Sequence, residues 1–449
     1  MISIKIHNEI SEISGLTPLM TKIVSKAISY FQPSLDEWRI LLWHNSTFMT
    51  GLVGEVCTAL KEADILYSIK DMRIQPKISQ VALRFNGEER DYQNIENECI
   101  EATRGIIWYA TGSGKTAVAA RIMAKLGLKT LYIVPTKDLL HQTATDFERF
   151  LQVPTGKIGD GKFKIDSDII VATIQTLYSV LKNEAHKRRE DVLKILDDVD
   201  LLFIDEHHHG ASESYLSTLN AIHAYYRFGL TGTAFREDGT DILLRASTGK
   251  VIARVDSSDL IKKNVLSKIE IKMFRFRDQS LDDMKLSWVE IYEAGIMRNN
   301  RRNLLLYEKI VYYKEQGRTI LVIVNRIEHG ETLQSMIQGS VFVHGSVASE
   351  ERNLIREEFK DGKIQVLIAS NIYDEGVDVP ALDCLVIAGG GKSRRQTIQR
   401  VGRALRISPG KTEAVIIDLI DHHSRTLHKH SMQRKNTYKS ESEFKVEII

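Results

Sequence analysis

The chain has 449 residues, 43% of them hydrophobic and 27% charged, which is typical of a globular protein large enough for several cores. Because 61 basic residues oppose 59 acidic ones, the net charge of +2 excludes an overall basic field, and any nucleic-acid surface must be local. No stretch approaches the roughly 20 apolar residues that span a bilayer, and no signal peptide is evident, so we expect a cytoplasmic protein without membrane contact. Cys57, Cys99 and Cys384 lack zinc-site spacing.

Residues 1–85 mix apolar segments such as WRILLW with turn residues, which predicts a small α+β accessory domain, expected to bind DNA. From residue 104 to 226, short apolar runs alternate with amphipathic stretches. This alternation predicts buried parallel strands connected by helices over 115–126, 137–150, 185–196 and 212–223. We therefore predict a doubly wound α/β domain over 86–240.

The same alternation returns from about residue 295, with strands such as TILVIVN and IQVLIAS and helices over 326–337, 349–360 and 394–405. The predicted fold class is α/β: two tandem doubly wound parallel-sheet domains preceded by the α+β domain. We expect the second α/β domain over 295–421 and a connecting segment over 241–294. Residues 422–449 are predicted to form a basic tail, which is either a solvated helix face or frayed end or a phosphate contact.

The segment ATGSGKT, residues 110–116, lies between a predicted strand and a predicted helix, as a phosphate-binding loop requires. Glycines in this segment let backbone N–H groups turn toward phosphate oxygens, and the helix start adds its positive dipole end. The Lys115 ammonium would bind the β- and γ-phosphates, and the Thr116 hydroxyl would ligate Mg²⁺. Tyr109 stands where the strict pattern has glycine. We expect ATP to contact Thr111, Gly112, Ser113, Gly114, Lys115 and Thr116.

Two carboxylates follow in LLFIDEHHHG, residues 201–210. An apolar strand that ends in Asp205 and Glu206 places both at the carboxyl edge of the sheet, where ligands bind in such folds. We expect Asp205 to hold the Mg²⁺ shell and Glu206 to act as the general base for the attacking water. His207, His208 and His209 could be interpreted as metal ligands, but the side chains of consecutive residues point in diverging directions and do not converge on one ion. A relay of the γ-phosphate state to the opposite domain by His207 and His208 is the preferred interpretation.

Two further groups complete the expected nucleotide site. Tyr92 and Gln93 precede the phosphate-binding loop by about twenty residues, and the Gln93 amide has the donor and acceptor needed to pair with an adenine edge. In QTIQRVGRALR, residues 396–406, helical spacing places Gln399, Arg403 and Arg406 on one face, suited to reach a triphosphate. The alternative for this segment is a solvated basic helix.

The ordered blocks YQ, ATGSGKT, VPTKDLLHQ, VATIQTL, DEHHH, LTGT, HGSV, ASNIYDEGVDVP and QRVGRALR resemble those of superfamily 2 helicases over roughly residues 85–420. Within that superfamily, the chain is similar to helicases of the XPB and UvsW kind. The resemblance implies RecA-like domains, with Arg403 and Arg406 as arginine fingers. It also implies that Gln399 and Asp378 sense nucleotide, that Gly376 allows close approach, and that Thr231 and Thr233 couple the ATP site to the nucleic-acid groove.

The resemblance also implies a set of nucleic-acid contacts on the opposite edge of the cleft, mostly to the phosphate backbone and therefore without sequence readout. The positions that match in the first α/β domain are Pro135, Thr136, Thr173, Gln175 and Thr176. Those that match in the second are Asn325, Arg326, His344, Gly345, Ala369 and Ser370.

Together these features predict an ATP-dependent DNA helicase or translocase that uses ATP with Mg²⁺. By the resemblance, it would unwind or remodel forks and junctions in replication, recombination or repair, on single-stranded, duplex or branched DNA. An RNA helicase is one alternative because the core chemistry is the same, although no RNA-specific module is present. A DNA translocase switch that hydrolyses ATP without separating strands is the other.

Overall fold

The computed structural model describes residues 2–32, 36–76, 81–210, 212–232, 241–281, 285–370, 382–393, 397, 400–402, 411 and 413–449. The chain divides into two compact units, Met1–Tyr109 with Gly114–Val255 and Ala110–Ser113 with Asp256–Ile449. The first unit contains the accessory domain and the first α/β domain, and the second contains the second α/β domain. Among the residues described, none of the helices is both long and apolar enough to cross a bilayer.

The accessory domain is a four-stranded sheet of order β5-β2-β1-β6 with two helices and a separate β3-β4 hairpin. Helix α1 starts at a proline, and the Thr17 side chain caps it by accepting from the Met20 N–H. The predicted α+β class is confirmed. The elements are β1 (Ile2–Ile6), β2 (Ile10–Ser14), α1 (Pro18–Ala27), β3 (Ser29–Gln32), β4 (Glu37–Ile40), β5 (Thr47–Met49), α2 (Val53–Glu62) and β6 (Tyr67–Asp71).

The first α/β domain is built on an eight-stranded sheet of order β10-β9-β11-β8-β12-β13-β7-β14. All its strand pairs are parallel except the β9-β10 hairpin. Strands β8, β11 and β12 are buried along their whole length, as continuous apolar runs predict for a covered parallel sheet. The strands are β7 (Arg104–Tyr109), β8 (Thr130–Val134), β9 (Thr155–Gly159), β10 (Lys162–Lys164), β11 (Ile169–Thr173), β12 (Leu201–Ile204), β13 (Tyr226–Thr231) and β14 (Val251–Val255). The helices are α3 (Glu96–Ala102), α4 (Lys115–Leu126), α5 (Lys137–Leu151), α6 (Ile174–Lys182), α7 (Arg189–Asp198), α8 (Glu213–Asn220) and α9 (Asp241–Thr248).

The second α/β domain has a seven-stranded, all-parallel sheet of order β17-β18-β16-β19-β20-β15-β21. Its strands are β15 (Lys268–Phe276), β16 (Ile320–Ile323), β17 (Ser340–Val343), β18 (Val366–Ala369), β19 (Cys384–Ile387), β20 (Glu413–Asp421) and β21 (Phe444–Ile448). Its helices are α10 (Ser257–Lys262), α11 (Trp288–Tyr292), α12 (Asn300–Glu315), α13 (Ile327–Met336), α14 (Ser349–Lys360) and α15 (Arg425–Lys439). The predicted pair of doubly wound parallel-sheet domains is confirmed.

The segment 241–294, expected as a connector, belongs instead to both sheets. Strand β14 extends the first sheet beside β7, and β15 lies inside the second sheet between β20 and β21. In β15 the buried Ile269, Ile271 and Met273 alternate with more exposed charged residues, which is the period of a strand. The second domain therefore starts near residue 256 rather than 295.

The expected basic tail over 422–449 is likewise an integral part of the second domain. Helix α15 packs on the sheet, and β21 pairs with β15 in parallel. Arg434 is not solvated: its guanidinium is buried and donates to both oxygens of Asp418 at 2.8 Å. The Tyr438 hydroxyl donates to the same carboxylate at 2.7 Å. One of the basic residues in this segment, Arg434, thus forms a buried ion pair with Asp418.

Helix α9 fastens the accessory domain to the first α/β domain. Its residues Ile242, Leu243 and Ala246 share a hydrophobic core with the accessory sheet. Glu55 of α2 accepts from the Arg245 guanidinium at 2.8 Å. Gly51 lies so close to α9 that a Cβ atom there would stand 2.0 Å from the Arg245 carbonyl oxygen. The accessory domain and the first α/β domain are therefore joined by packed side chains and by backbone approach.

Replacing Gly51 with alanine tests this junction. We expect Gly51→Ala to lower the free energy of unfolding of the first unit by about 1–3 kcal/mol, because the new methyl group overpacks the α9 backbone. Gly54→Ala is the matched control. Nothing lies within 4 Å of a Cβ there, and alanine in helix α2 should stabilise by about 0.5–1 kcal/mol. Equal midpoints for the two variants in chemical denaturation would contradict the described junction.

Candidate functional site

The loop between β7 and α4 has the backbone geometry that phosphate binding requires. Gly112 and Gly114 adopt φ angles of +85° and +84°, a region that favours glycine. Helix α4 begins at Lys115, with Gly114 as its N-cap, and no side chain caps its first turn. The N–H groups at this helix start are therefore left for an anion, with the helix dipole behind them.

Gln93 lies directly against this loop. Its side chain is 2% exposed, and its Nε2 atom is 2.6 Å from the place where a Cβ atom on Gly114 would lie. Glycine is therefore required at position 114 for two reasons: its φ angle is positive, and a side chain there would collide with the Gln93 amide. The structure brings together the two groups that the sequence separates by about twenty residues.

Two side chains hold the Gln93 segment in place with three hydrogen bonds. The Tyr109 hydroxyl donates to the backbone carbonyl of Tyr92, so the residue that replaces the usual glycine of the loop has a bonding role. From α4, Arg121 donates to Glu96 at 2.7 Å and to Asn94 at 2.5 Å. The sequence indicated neither the bonding role of Tyr109 nor that of Arg121, because no local pattern predicts contacts between segments so far apart.

Asp205 lies at the carboxyl end of β12, as predicted. Its backbone N–H donates to the Ile133 carbonyl at 2.8 Å, and its Oδ1 accepts from the Glu206 N–H at 2.9 Å. Burial raises the pKa of the Asp205 carboxyl, the adjacent Glu206 raises it further, and the Lys115 ammonium acts in the opposite direction. A buried carboxylate so placed gains from an added cation, which fits a Mg²⁺ ion held with a nucleotide.

Glu206 adopts a strained backbone conformation, with φ at +45° in a residue that is not glycine. His208 links it to the end of β13: its Nδ1 atom is 3.3 Å from Glu206 Oε2 and 3.4 Å from Thr231 Oγ1. Both His208 and Thr231 are fully buried. One imidazole thus joins the predicted general base to the threonine expected to communicate with the nucleic-acid groove.

His207 has a different environment from the one predicted. Its Nε2 atom lies 3.0 Å from Thr248 Oγ1 and 3.1 Å from the Leu244 carbonyl, both on α9 of the same unit. Burial lowers the pKa of His207 to about 4, so the ring is neutral at neutral pH. A Cβ atom on Gly229 would stand 2.3 Å from this ring. His207 therefore packs β13 against α9, and these contacts give no support to the relay interpretation for this residue. In the described part of the chain no cluster of three metal-ligand side chains occurs.

The nucleic-acid residues expected in the first α/β domain gather at the ends of the adjacent strands β8 and β11. The Gln175 amide donates to the Pro135 carbonyl at 2.8 Å, and the Thr173 and Thr176 hydroxyls are 2.7 Å apart. The Thr136 hydroxyl caps α5 by accepting from the Leu139 N–H at 3.3 Å. These five positions form one continuous edge, in which Thr136 also has a structural role.

The second set gathers at the ends of β16, β17 and β18. Val324 N–H donates to the Ala369 carbonyl at 2.9 Å, and Ser370 N–H donates to the Val343 carbonyl at 3.1 Å. The remaining members flank these strand ends: Arg326, the half-buried His344 and the exposed Gly345. The Asn325 amide is already engaged, since its Nδ2 donates to the Gly389 carbonyl at 2.8 Å. Asn325 therefore has an internal structural role that the sequence did not indicate.

Several predicted positions lie outside the described residues. They are Thr233, Gly376, Asp378, Gln399, Arg403 and Arg406. Of the block QRVGRALR, the structure describes residues 400–402, which are helical.

Comparison with known proteins agrees with this arrangement. Residues 80–236 match the family described as "Type III restriction enzyme, res subunit", and residues 301–408 match the "Helicase conserved C-terminal domain". The chain is 30% identical to helicase 22 of Sulfolobus islandicus filamentous virus, covering 79% of this chain and 68% of the relative. It is 28% identical to the DNA 3'-5' translocase XPB2 of Sulfurisphaera tokodaii, covering 74% and 81%. It is 26% identical to the ATP-dependent DNA helicase uvsW of Enterobacteria phage T4, covering 71% and 65%.

The chain thus has two helicase domains in the expected order, each on a parallel-sheet domain. It also has a phosphate-binding loop and a DEHH segment at one edge of the first sheet. The chain belongs to the superfamily 2 helicases, nucleic-acid-dependent ATPases of the XPB and UvsW type.

Proposed function

We propose that this helicase uses ATP with Mg²⁺ to move along DNA and to remodel branched DNA such as forks and junctions. The observation that carries the proposal lies at the start of α4, in the first of two helicase domains: Gln93 packs against Gly114, and the buried Asp205 interacts electrostatically with Lys115. The relatives named as a DNA translocase and a DNA helicase support DNA as the nucleic acid.

Around the phosphate-binding loop, each residue has a separate task. Gln93 would read the adenine edge, and the N–H groups from Thr111 to Thr116 would hold the phosphates while Lys115 neutralises their charge. Asp205 and Thr116 would hold Mg²⁺, which supplies charge neutralisation of the β- and γ-phosphates. Glu206 would orient and deprotonate the attacking water.

In the second unit, the proposal assigns Arg403 and Arg406 to the developing charge on the γ-phosphate, with Gln399 and Asp378 sensing the nucleotide. Because these residues and Lys115 belong to different domains, a bound triphosphate would stabilise a closed arrangement. Release of phosphate would remove that stabilisation and let the domains separate.

The link from hydrolysis to the nucleic acid would pass through His208. This imidazole contacts both Glu206 and Thr231, so a change at the general base reaches the end of β13 by direct contact. One nucleic-acid strand would be held by its phosphate backbone in both α/β domains. The contacts in the first domain would be Pro135, Thr173, Gln175 and Thr176, and those in the second would be His344, Gly345, Ala369 and Ser370. Alternation of these grips would move the protein along the strand.

The accessory domain would meet the branch point. It is packed on α9 of the first α/β domain and so would move together with it. A body of this kind, carried ahead of the motor, would press against a junction at each step, which suits remodelling of forks.

Substitution of the proposed general base gives a first test. Glu206→Gln keeps the shape of the side chain but cannot take up the proton, so we expect kcat for ATP hydrolysis to fall at least about 100-fold while nucleotide binding is retained. Asp198→Asn, the same change on an exposed carboxylate, is the control and should leave kcat unchanged. Steady-state hydrolysis and binding of a fluorescent ATP analogue measure the two quantities. Turnover by Glu206→Gln at the wild-type rate would rule out the assigned base.

The nucleic-acid preference is tested with matched substrates. We expect forks and four-way junctions to stimulate ATP hydrolysis more than linear duplex DNA, and RNA of the same sequence to stimulate it least. Strand release or junction conversion should accompany hydrolysis on the branched substrates. Stronger stimulation by RNA would favour an RNA helicase, and hydrolysis without strand rearrangement would favour a translocase switch; either result contradicts the proposal.

A further inference from the structure

Four successive backbone carbonyls after β19 each accept a hydrogen bond from a different side chain. This segment, residues 388–391 with the sequence AGGG, leads toward the block QRVGRALR. The bonds are Arg302 Nη1 to Ala388 at 2.8 Å, Asn325 Nδ2 to Gly389 at 2.8 Å, Arg400 Nη1 to Gly390 at 3.3 Å and Arg434 Nη1 to Gly391 at 2.6 Å. We call the four donors the carbonyl clamp.

The clamp draws on four separate parts of the second unit. Arg302 lies on α12, Asn325 follows β16, Arg400 lies in the helical segment 400–402, and Arg434 lies on α15. The three arginines are buried, which is costly for a charge unless acceptors surround it. The Asp421 carboxylate accepts from Arg302 at 2.8 Å, and Asp418 accepts from Arg434. A conformation held from four directions has little freedom to shift.

Arg400 joins the helical turn 400–402 to two other members of this clamp. Its side chain is 3% exposed, and its Nη2 donates to Asn325 Oδ1 at 2.9 Å while its Nη1 donates to Gly390. Asn325 thus accepts from Arg400 with one end of its amide and donates to Gly389 with the other. A Cβ atom on Gly389 would stand 2.8 Å from Asn325, so the glycine permits this contact.

We propose that Arg400 is a positioning residue for ATP hydrolysis, which sets the helix leading into Arg403 against Asn325 and Gly390. The inference rests on the proposed role of Arg403 as an arginine finger. Arg403 directly follows the described turn 400–402 in the sequence, so the proposal has a displacement of Arg400 displace Arg403 as well. Asn325 precedes Arg326, and both are expected nucleic-acid contacts. The hydrogen bond from Arg400 to Asn325 therefore joins the helical turn 400–402 to the expected nucleic-acid edge. Misplacement of a catalytic group by about 1 Å costs on the order of 100-fold in rate.

A double-mutant cycle on ATP hydrolysis tests this assignment. Arg400→Gln should lower kcat about 10- to 100-fold, with the KM for ATP changed less than about threefold, because the arginine finger acts on the transition state. The double variant Arg400→Gln with Arg403→Ala should be no slower than Arg403→Ala alone, because a positioning residue has no effect once its target is absent. Additive losses in kcat would overturn the proposal.

Two further variants separate positioning from general stability. Arg302→Lys weakens the same clamp at Ala388 but lies on α12, so it should lower the unfolding temperature with a smaller loss of kcat than Arg400→Gln. Equal losses of kcat in the two variants would show that the clamp is only structural. If Arg400→Gln fails to fold, Asn325→Leu is the substitute, because it removes the Asn325 Oδ1 atom that accepts from Arg400. Assayed without nucleic acid, this variant should lower kcat for ATP hydrolysis in the same way. A wild-type rate would overturn the proposal.

The cycle also distinguishes this inference from the proposed function. If Arg403→Ala hydrolyses ATP at the wild-type rate, the arginine-finger assignment fails, whatever Arg400 does. If Arg403→Ala is slow and Arg400→Gln is as fast as wild type, only the positioning role fails.

Discussion

The Asp205 carboxylate lies buried at the end of β12, where the Lys115 ammonium acts on it from the start of α4. This placement follows from the fold, because parallel strands of one sheet end at the same edge. Burial makes the charged carboxylate costly, and a cation beside it offsets the cost. The loop glycines, the Gln93 amide and the strained Glu206 backbone are arranged around this pair. A magnesium nucleotide is the ligand that we propose for this site.

Both units bury ionisable side chains, and backbone carbonyls satisfy buried arginines in each: Arg227 of the first unit donates to the Leu219, Ile222 and Ser247 carbonyls. In the first unit, His207 stays neutral and is used for packing between β13 and α9. In the second, buried arginines are satisfied by carbonyl groups and by Asp418 and Asp421. In the second unit, Arg302, Arg400 and Arg434 hold the backbone segment 388–391. Both units place rigid supports immediately beside segments that are proposed to move or react.

Elements whose function requires particular residue types within one short segment were predictable from the sequence. A phosphate-binding loop needs glycine, lysine and threonine in one short segment, so its strand and helix could be read directly. The β15 strand was missed because its charged positions resemble a linker, although its buried residues alternate with period two. The burial of helix α15, expected as a solvated helix face, was missed because the partner of Arg434 is Asp418, on a different element. Contacts such as Gln93 against Gly114, or Arg400 with Asn325, depend on chain crossings that no local pattern encodes.

The central claim is that a triphosphate joins the Lys115 side of the site to Arg403 and Arg406 of the second domain. Electron–electron distance measurement between spin labels at the exposed Lys194 and Lys360 tests it most directly, in a variant whose three native cysteines are replaced. We expect a non-hydrolysable ATP analogue with Mg²⁺ and single-stranded DNA to give one narrow distance distribution, distinct from the broader one without nucleotide or with ADP. Identical distributions in all three states, with the analogue shown to be bound, would contradict the claim.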